Sequence, residues 1–319
     1  MKTLLSIVMP VHNGEHYIAI ALDSLRNQLP ASAEIVVVDD CSTDRTVEIV
    51  RAITDLPIRL LSPCRFGNWV AATNHGLRHA EGEWACFLHH DDLWLPGRGQ
   101  RILAEIPNTP GALLLHNAVF IDSRGHSAGP WTCPLPAGNV ASSDFLSHLL
   151  IQNFIAIPSP VFRRSIVLET GALDETLWFS GDWDLWLRLG AAGPVRFLSE
   201  TLTAFRVHPF SQTDSRKVSP GEWEQQLTIV LNRYLPRLSS PAKSLRGIDQ
   251  AARVSIAVNS SLSAASRGQP FQPWPALGQL LALGPAGGRR YLRDSRIFQR
   301  VMARLRVRWR ISDGKASGG

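Results

Sequence analysis

The sequence is poor in features that define several large classes of protein. Its four cysteines, spread over 319 residues, form no Cys-x-x-Cys pair. This argues against a zinc ribbon and a disulfide framework and fits a reducing cytosol. No stretch offers the roughly 20 consecutive apolar residues that a membrane-crossing helix needs. The apolar run after Lys2 contains Pro10 and lacks a signal-peptide cleavage site before His12, so we interpret it as a buried first strand.

Three catalytic or phosphate-binding motifs are also missing. The sequence contains no Gly-x-Gly-x-x-Gly, no Gly-x-x-x-x-Gly-Lys-Ser/Thr and no Gly-x-Ser-x-Gly. The first two are glycine-rich loops that hold the phosphates of dinucleotides and nucleoside triphosphates. The third presents the serine nucleophile of α/β-hydrolases. These absences disfavour a nicotinamide-dinucleotide domain, a P-loop NTPase and a serine hydrolase of that type.

Lysine is scarce, and the excess of positive charge lies in one segment. Only 4 of the 33 basic residues are lysines, and the net charge of the chain is +6. Residues 285–311 contain nine arginines and a single acid, Asp294, which gives this segment a charge of +8. The rest of the chain therefore carries −2. An anionic partner is expected for the C-terminal segment rather than for the whole protein.

The first half of the chain alternates short apolar runs with segments of helical periodicity. Strands are predicted at 4–9, 34–38, 58–61 and 83–88, and helices between them at 15–29, 43–53 and 68–80. This order predicts a mostly parallel sheet with helices on both faces. In the second half we predict a Gly/Pro-rich loop at 125–138 and separate strands at 195–198 and 201–206. From Pro220 to the end we predict helices that are broken at Pro241, at 270–275 and at 284–288.

Acidic residues follow two of the predicted strands. Asp39 and Asp40 come directly after the second strand, and Asp91 and Asp92 follow the fourth. Ligands of such sheets bind beyond the carboxyl ends of the strands, so both pairs are expected at the binding edge. Their oxygens suit Mg²⁺ or Mn²⁺, which can in turn hold a diphosphate. The local sequence leaves open that Asp91 or Asp92 only starts a turn.

A further acidic cluster, Asp182 and Asp184, begins a helix that is predicted over 182–192. The helix dipole stabilises a carboxylate at this position. An ordinary helix cap is the alternative that the local sequence favours.

Taken in order, these segments resemble the family-2 inverting glycosyltransferases with a GT-A fold. The similarity covers about residues 3–213 and includes His89-His90-Asp91-Asp92, which matches the segment of the family's Asp-x-Asp motif. Asp182-Trp183-Asp184 matches the segment of the catalytic base. The other similar runs are 6–15, 37–44, 68–76 and 205–209. Three positions depart from the family: His89 replaces the first motif acid, Thr73 replaces an arginine, and Gly181 replaces a glutamate before the base.

The resemblance implies a role for each matched position. The general base would be Asp182, and Asp91 would bind the metal, Mn²⁺ or Mg²⁺, with support from Asp92. His208 would be a further metal or diphosphate ligand, or else a hydrogen-bonded loop histidine. His89 or His90 would contact the ribose or diphosphate, although a role in packing or hydrogen bonding is favoured for both. The remaining positions, which would line the nucleotide pocket, are Pro10, Val11, Glu15, Asp39 and Asp40.

The resemblance also implies an organisation and an activity. Residues 1–215 would form the GT-A catalytic domain and residues 216–319 a helical extension. The enzyme would move a sugar from a nucleotide-diphospho-sugar, most often UDP-linked, to a glycan or lipid-linked acceptor in bacterial surface-polysaccharide or lipopolysaccharide assembly. One rival is a sugar-phosphate nucleotidyltransferase, which would need a glycine-rich loop after the first strand. The other is a non-catalytic scaffold, which the departures at His89 and Gly181 would favour.

The basic segment has the pattern of an amphipathic helix over residues 289–311. Apolar residues recur at helical spacing, and Arg293, Arg296, Arg300 and Arg304 form a separate stripe. Such a helix is typical of contact with an anionic membrane surface. The alternative is that its apolar stripe packs on the catalytic domain. Nucleic-acid binding is disfavoured because no nucleic-acid module accompanies the segment. We expect a cytoplasmic protein, peripheral at the inner face of the plasma membrane.

Overall fold

The computed structural model describes residues 3–63, 65–208, 220–239, 241–266 and 274–316. Strands and helices alternate through the first third of the chain, as the sequence predicts. The elements up to residue 105 are β1 (Leu5–Val11), α1 (Ile18–Asp23), β2 (Ala33–Asp39), α2 (Thr46–Ala52), β3 (Ile58–Leu61), α3 (Trp69–His79), β4 (Trp84–Phe87), β5 (Leu93–Trp94) and α4 (Arg98–Glu105).

The second third of the chain adds strands to the same sheet and three helices. A short 3-10 helix (Ile106–Asn108) precedes it. The elements are β6 (Leu113–Ile121), β7 (Ser127–Trp131), β8 (Gly138–Val140), α5 (Ser142–Leu149), β9 (Val161–Arg163), α6 (Arg164–Glu169), α7 (Gly181–Ala191) and β10 (Val195–Arg206).

One sheet contains all ten strands that are described. Its order is β3-β2-β1-β4-β9-β6-β10-β5, with β7 paired to β6 and β8 paired to β10. The strands β3, β2, β1, β4, β6 and β10 share one direction, and β9 lies antiparallel between β4 and β6. The predicted class, a mostly parallel sheet with helices on both faces, is confirmed.

The strands are buried on both faces because their alternate side chains enter different cores. Ile7 and Met9 of β1 belong to one hydrophobic cluster together with residues of α1, whereas Val8 belongs to the larger cluster together with residues of α3. A strand of nearly continuous apolar residues is therefore required here. Each fully buried side chain of this size contributes about 1.5–3 kcal/mol to stability.

Three element predictions were wrong in detail. The helix predicted at 15–29 spans only Ile18–Asp23, and the two strands predicted between 195 and 206 are one strand, β10, with irregular register between Leu198 and Thr203. The loop predicted at 125–138 contains β7. Gly129 pairs with Phe120 there at a φ of +141°, a conformation that glycine permits. Pairing with β6, rather than local propensity, makes this segment a strand.

The described C-terminal part is helical apart from short connections, and the break predicted at 284–288 lies at Leu283, because Gly284–Ser295 is one helix. It comprises α8 (Pro220–Tyr234), the 3-10 helix Leu235–Arg237, α9 (Ala242–Ser266), α10 (Trp274–Ala282), α11 (Gly284–Ser295) and α12 (Ile297–Ala316). The predicted boundary at 215/216 and most of the predicted break at 270–275 lie outside the described residues. Within the described ranges, no helix combines the length and apolarity needed to span a bilayer.

The helical part shares its core with the sheet. Leu227, Val230 and Leu231 of α8 belong to the same cluster as Trp183 and Trp186 of α7. At the other end of the extension, Ala303 and Val307 of α12 are buried in a small cluster that also contains residues of the β6–β7 hairpin. The extension is thus anchored to the sheet at two separate places.

Candidate active site

The turn after β4 gathers three groups that can ligate a cation. One ligand atom from each of His89, Asp91 and Asp92 lies within 4.8 Å of the others. The turn is closed by a hydrogen bond from the Asp92 N–H to the His89 carbonyl, 3.1 Å. His89 Nε2 and Asp92 Oδ2 are buried and have no hydrogen-bond partner among the described residues. Two carboxylates and an imidazole with unsatisfied atoms suit Mn²⁺ or Mg²⁺, so the donor set fits a divalent cation.

The end of β10 holds this turn in place. The Arg206 N–H donates to Asp92 Oδ1 at 2.9 Å, and Arg206 Nε donates to the Asp91 carbonyl at 2.8 Å. The Arg206 guanidinium lies over the Tyr17 ring, 4.7 Å from its centroid. His208 Nε2 is 2.9 Å from Asp91 Oδ2. The structure therefore brings the predicted metal residues Asp91, Asp92 and His208 together, with His208 against the carboxylate of Asp91.

The three groups of the turn differ in protonation. Burial alone would raise the pKa of Asp91, but the charge of His90 and the hydrogen bond with His208 hold it well below its usual range. Burial, followed by the charge of Asp91, raises the pKa of Asp92 well above its usual range. Burial lowers the pKa of His89 to about 4, which leaves a neutral imidazole, the form that ligates metals. Within the turn, Asp91 is therefore the group that most favours the charged form, and an added cation would favour the charged form of Asp92 as well.

The predicted nucleotide residues of β1 and β2 lie at the neighbouring strand ends. Pro10 pairs with Val38 and Val11 pairs with Asp39 in the parallel register. The Asp40 N–H donates to the Val11 carbonyl at 2.8 Å. These contacts put the last residues of β1 and both aspartates on one edge of the sheet, as predicted.

Asp39 and Asp40 have different surroundings on that edge. The Asp40 carboxylate accepts the backbone N–H groups of Phe66 and Gly67, so it anchors the loop after β3. From the described residues, the Asp39 side chain accepts only a long bond, 3.3 Å from the Ser42 N–H to each oxygen. Of the two, Asp39 is the carboxylate with capacity for a further ligand.

Glu15 and His90 lie beside the β1–α1 loop. Glu15 Oε2 accepts the Arg45 N–H at 3.2 Å, which connects this loop to the one after β2. A Cβ on Gly14 would stand 2.7 Å from His90 Cδ2 and 2.6 Å from Val11 Cγ2. Only glycine at position 14 allows the His90 ring to pack this closely against the end of β1. Both residues are at the predicted edge, and their contacts among described groups are structural.

Asp182 is the second residue of α7 and faces a neutral partner. Its Oδ2 accepts Asn153 Nδ2 at 2.9 Å, and its Oδ1 accepts the Trp183 N–H at 2.7 Å. Burial raises its pKa to about 6. A half-buried carboxyl group with this pKa is a carboxylate at neutral pH and a stronger base than a fully hydrated aspartate.

The neighbouring Asp184 has cationic partners instead. It is fully buried, and its oxygens lie 2.6 Å from Arg233 Nη1 and 3.2 Å from Arg188 Nη2. Arg233 belongs to α8, so this ion pair joins the extension to α7. The two acids of the cluster thus divide into an accessible carboxylate and a structural one.

The side chain of Trp69 connects the β4 turn with the segment before α7. Its ring packs edge-on against His89 at a centroid distance of 5.2 Å, and its Nε1 donates to the Trp178 carbonyl at 2.5 Å. The next residue, Val70, approaches Gly181, where a Cβ would stand 3.4 Å from Val70 Cγ2. The start of α3 therefore contacts both the candidate metal group and the first turn of α7.

Two residues at the site were missed as functional groups by the sequence analysis. His89 was interpreted mainly as a packing residue, yet its Nε2 joins the group of cation-ligating atoms. The signal was present, since His89 occupies the position of the first acid of the family motif. Asn153, which contacts Asp182, belongs to no recognisable motif, and only the fold brings it next to α7.

Solved structures share this architecture. The crystal structure of residues 1–349 of TarS from S. aureus in complex with UDP-GlcNAc superposes with a TM-score of 0.66 and 20% identity, over 96% of this chain and 89% of that one. A mannosyltransferase from Pyrobaculum calidifontis in complex with GDP-Man and Mn²⁺ gives a TM-score of 0.54 and 18% identity, over 97% and 88% of the two chains. The fold is that of the GT-A glycosyltransferases.

Sequence comparison gives the family. The model described as glycosyl transferase family 2 matches residues 6–136. An uncharacterized glycosyltransferase of Rickettsia typhi is 30% identical over 233 residues, 69% of either chain. Another, from a Nostoc species, is 24% identical over 254 residues, 75% of this chain and 78% of the relative. The protein belongs to glycosyltransferase family 2, as the motifs predicted.

Proposed function

We propose that this protein is an inverting, metal-dependent glycosyltransferase that moves a sugar from a nucleotide-diphospho-sugar to an acceptor hydroxyl. The observation that carries the proposal is that the start of α3 contacts two acidic regions, the turn after β4 and the first turn of α7. The His89–Asp91–Asp92 group can ligate a cation, and Asp182, with a pKa of about 6, can accept a proton. Trp69 and Val70 contact both regions.

The donor in this proposal is a UDP-sugar bound with Mn²⁺ or Mg²⁺. Asp91 and Asp92 would hold the cation, with His89 as the third group and His208 against Asp91. The nucleotide would lie along the ends of β1 and β2, on Pro10, Val11, Glu15, Asp39, Asp40 and His90. The complexes of related folds with UDP-GlcNAc, and with GDP-Man and Mn²⁺, support this choice of ligands.

In the proposed reaction, Asp182 accepts the proton of the acceptor hydroxyl. The acceptor oxygen then forms its bond to the anomeric carbon while the bond from that carbon to the diphosphate breaks, and the nucleoside diphosphate leaves with the electron pair. Asn153 holds Asp182 Oδ2, so the carboxylate keeps one orientation. A divalent cation bound at the β4 turn would offset the charge that develops on the diphosphate. A single displacement inverts the anomeric carbon.

The proposal also includes a cellular role. Residues 1–215 would be the catalytic domain and residues 216–319 a helical extension whose basic segment contacts the inner face of the plasma membrane. The acceptor would be a glycan or a lipid-linked glycan of bacterial surface-polysaccharide or lipopolysaccharide assembly. A cytoplasmic protein with a C-terminal charge of +8 fits this location.

A screen of nucleotide sugars tests the proposal. Binding and donor hydrolysis are measured for UDP-, GDP- and dTDP-sugars, with Mn²⁺, with Mg²⁺ and after chelation. We expect one nucleotide class to bind in a metal-dependent way and to be slowly hydrolysed. Binding without turnover of any donor would favour the non-catalytic scaffold. Formation of a nucleotide sugar from a sugar phosphate and a nucleoside triphosphate would favour the nucleotidyltransferase.

A further inference from the structure

Large apolar side chains are exposed mainly on the C-terminal helices. The described residues include ten exposed large hydrophobic side chains, and eight of them lie between positions 274 and 309. They are Trp274, Leu277, Leu281, Leu292, Phe298, Met302, Leu305 and Trp309. A concentration of this kind marks an interaction surface, whereas single exposed apolar residues are ordinary.

Four of these residues form one stripe along α12. Phe298, Met302, Leu305 and Trp309 follow each other at intervals of four, three and four residues, which places them on one side of a helix. Their exposed fractions are 66%, 45%, 50% and 78%. We call these four residues the apolar stripe. The buried contact of α12 with the sheet is made by other residues of the helix.

A different side of α12 makes that packing contact. Ala303 and Val307 are buried in a cluster with Phe120 and Ala128 of the β6–β7 hairpin. Arg306 Nη1 donates to the Ala128 carbonyl at 3.0 Å, and Arg310 Nη1 lies 3.1 Å from Asp122 Oδ2. These contacts fix the rotation of the helix about its axis, so the apolar stripe is held outward.

A third side of α12 is basic. Arg304 and Arg308 are exposed and lie four residues apart, and Arg300 precedes them at the same interval with partial burial. Arg304 and Arg308 lie between the apolar stripe and the side of Ala303 and Val307, with Arg308 nearer to the stripe, whereas Arg300 lies on the side of Val307. Residues 285–311 contain nine arginines and one acid, and that acid, Asp294, is buried beside Arg293 and His148. The outward-facing charge is therefore strongly positive.

We propose that the apolar stripe and the adjacent arginines of α12 bind the surface of an anionic lipid bilayer. The inference rests on the proposed membrane-surface location and assigns it to particular side chains. The helix lies parallel to the surface, with Phe298, Met302, Leu305 and Trp309 at the boundary between headgroups and acyl chains. Each arginine near the anionic headgroups strengthens partitioning by about fivefold. Charge complementarity selects lipid over a neutral partner.

The same helix sits next to the candidate active site. Arg310 contacts the Asp122 carboxylate, the Asp122 carbonyl accepts Arg206 Nη1 at 2.9 Å, and Arg206 holds the Asp91–Asp92 turn. A bilayer bound to α12 would therefore lie beside the edge of the sheet that carries the proposed donor site. This arrangement suits an acceptor whose hydroxyl is presented from the lipid surface.

Vesicle co-sedimentation of the full-length chain tests the proposal. Vesicles of phosphatidylcholine alone are compared with vesicles containing 30% phosphatidylglycerol, at about 0.15 M salt, where surface charges are still partly effective. We expect binding only to the anionic vesicles. The stripe variant Met302→Ser/Leu305→Ser and the charge variant Arg308→Glu should bind at least tenfold more weakly. The matched controls Ile20→Ser and Arg51→Glu, which alter exposed residues on α1 and α2, should stay within twofold of the wild type.

The outcomes separate this inference from the proposed activity. Absence of wild-type binding to anionic vesicles, or equal binding by the stripe variant, would overturn it. A wild-type dimer that the stripe variant dissociates, together with no vesicle binding, would assign the stripe to self-association and also overturn it. Metal-dependent UDP binding is measured in the same samples, with circular dichroism as a folding control. UDP binding by every variant is expected, and its loss in all of them would count against the donor site only.

Discussion

The turn after β4 and the first turn of α7 each carry two aspartates, and they use them differently. In the β4 turn, Asp91 and Asp92 share one site, and the pKa of Asp91 is lowered by neighbouring histidines while burial and Asp91 raise that of Asp92. In α7, Asp184 is neutralised by Arg188 and Arg233, whereas the partners of Asp182 among the described residues are neutral, the Asn153 amide and the Trp183 N–H. The residue type is the same in all four cases.

The comparison shows that neighbouring groups determine whether a carboxylate can bind a cation, stabilise the fold or accept a proton. Two adjacent carboxyl groups beside a neutral imidazole can ligate a cation. A carboxylate between two arginines is a structural anion, because its oxygens are held in ion pairs. A half-buried carboxylate without a cationic partner has a raised pKa and can take a proton. The following predictions test whether these assignments hold, in order of decreasing expected effect.

The largest effect is expected for Asp182→Asn. Loss of the base should lower the rate of sugar transfer by about 10²–10⁴-fold, the usual contribution of general-base catalysis. Metal-dependent UDP binding, measured by titration calorimetry, should stay within twofold of the wild type. Transfer at the wild-type rate would contradict the assignment of Asp182 as the base.

Asp184→Asn should act on folding instead. Removing the anion takes a buried charged partner from Arg188 and Arg233, although Arg233 keeps Asp174 and Arg188 keeps two backbone carbonyls, so the free energy of unfolding should fall by about 2 kcal/mol. Urea denaturation measures this difference. The control Asp249→Asn, at a more exposed i,i+4 pair on α9, should cost less than about 0.5 kcal/mol. A fully stable Asp184 variant would show that the ion pair between α7 and α8 is not structural.

Asp91→Asn should weaken Mn²⁺-dependent UDP binding by at least about tenfold, the lower range for loss of a group in a metal site. Its folding should be preserved, because His208 can still hydrogen-bond to the amide. UDP binding is titrated with and without Mn²⁺, and Asp249→Asn again serves as the control. Equally strong UDP binding by the wild type and the Asp91 variant, with or without Mn²⁺, would contradict a metal-binding role for the β4 turn.

The smallest effect is expected for Asn153→Ala, and it should appear as a change in pH dependence. Transfer by the wild type should fall as the pH is lowered through about 6, because the base becomes protonated. The Asn153 hydrogen bond favours the carboxylate, so its removal should move this midpoint to higher pH. The rate profile is measured between pH 5 and 9. The control Asn139→Ala should leave the midpoint unchanged. A wild-type midpoint in Asn153→Ala would show that the hydrogen bond from Asn153 does not affect the protonation of Asp182.

The sequence predicted the site residues that directly follow a recognisable strand or begin a recognisable helix. Asp39, Asp40, Asp91 and Asp92 follow buried strands, so their common edge was predictable from the parallel order alone. The local sequence placed both Asp182 and Asp184 at the start of a helix, and the family resemblance alone selected Asp182 as the base. That distinction depends on Arg233, which is 49 residues further along the chain.

Other features depend on contacts that no local pattern encodes. The segment of β7 has the composition of a loop and becomes a strand only through pairing with β6. Asn153 lies in an irregular segment, 29 residues before its partner Asp182. In α12, the apolar spacing predicted an amphipathic helix with one apolar side. The structure divides the helix into three sides, because the small residues Ala303 and Val307 make the packing contact.

The position of β10 in the sheet has a consequence for the order in which the protein assembles during synthesis. Strand β10 lies between β6 and β5, and its last residue holds Asp92, which precedes it by 114 positions. A nascent chain that ends before residue 206 therefore contains Asp91 and Asp92 but lacks the Arg206 contacts that hold their turn. The site is completed by one of the most distant pairings in the sheet, and contacts of such separation form slowly. We therefore expect the protein to become able to bind a donor late in folding, after most of the sheet has formed.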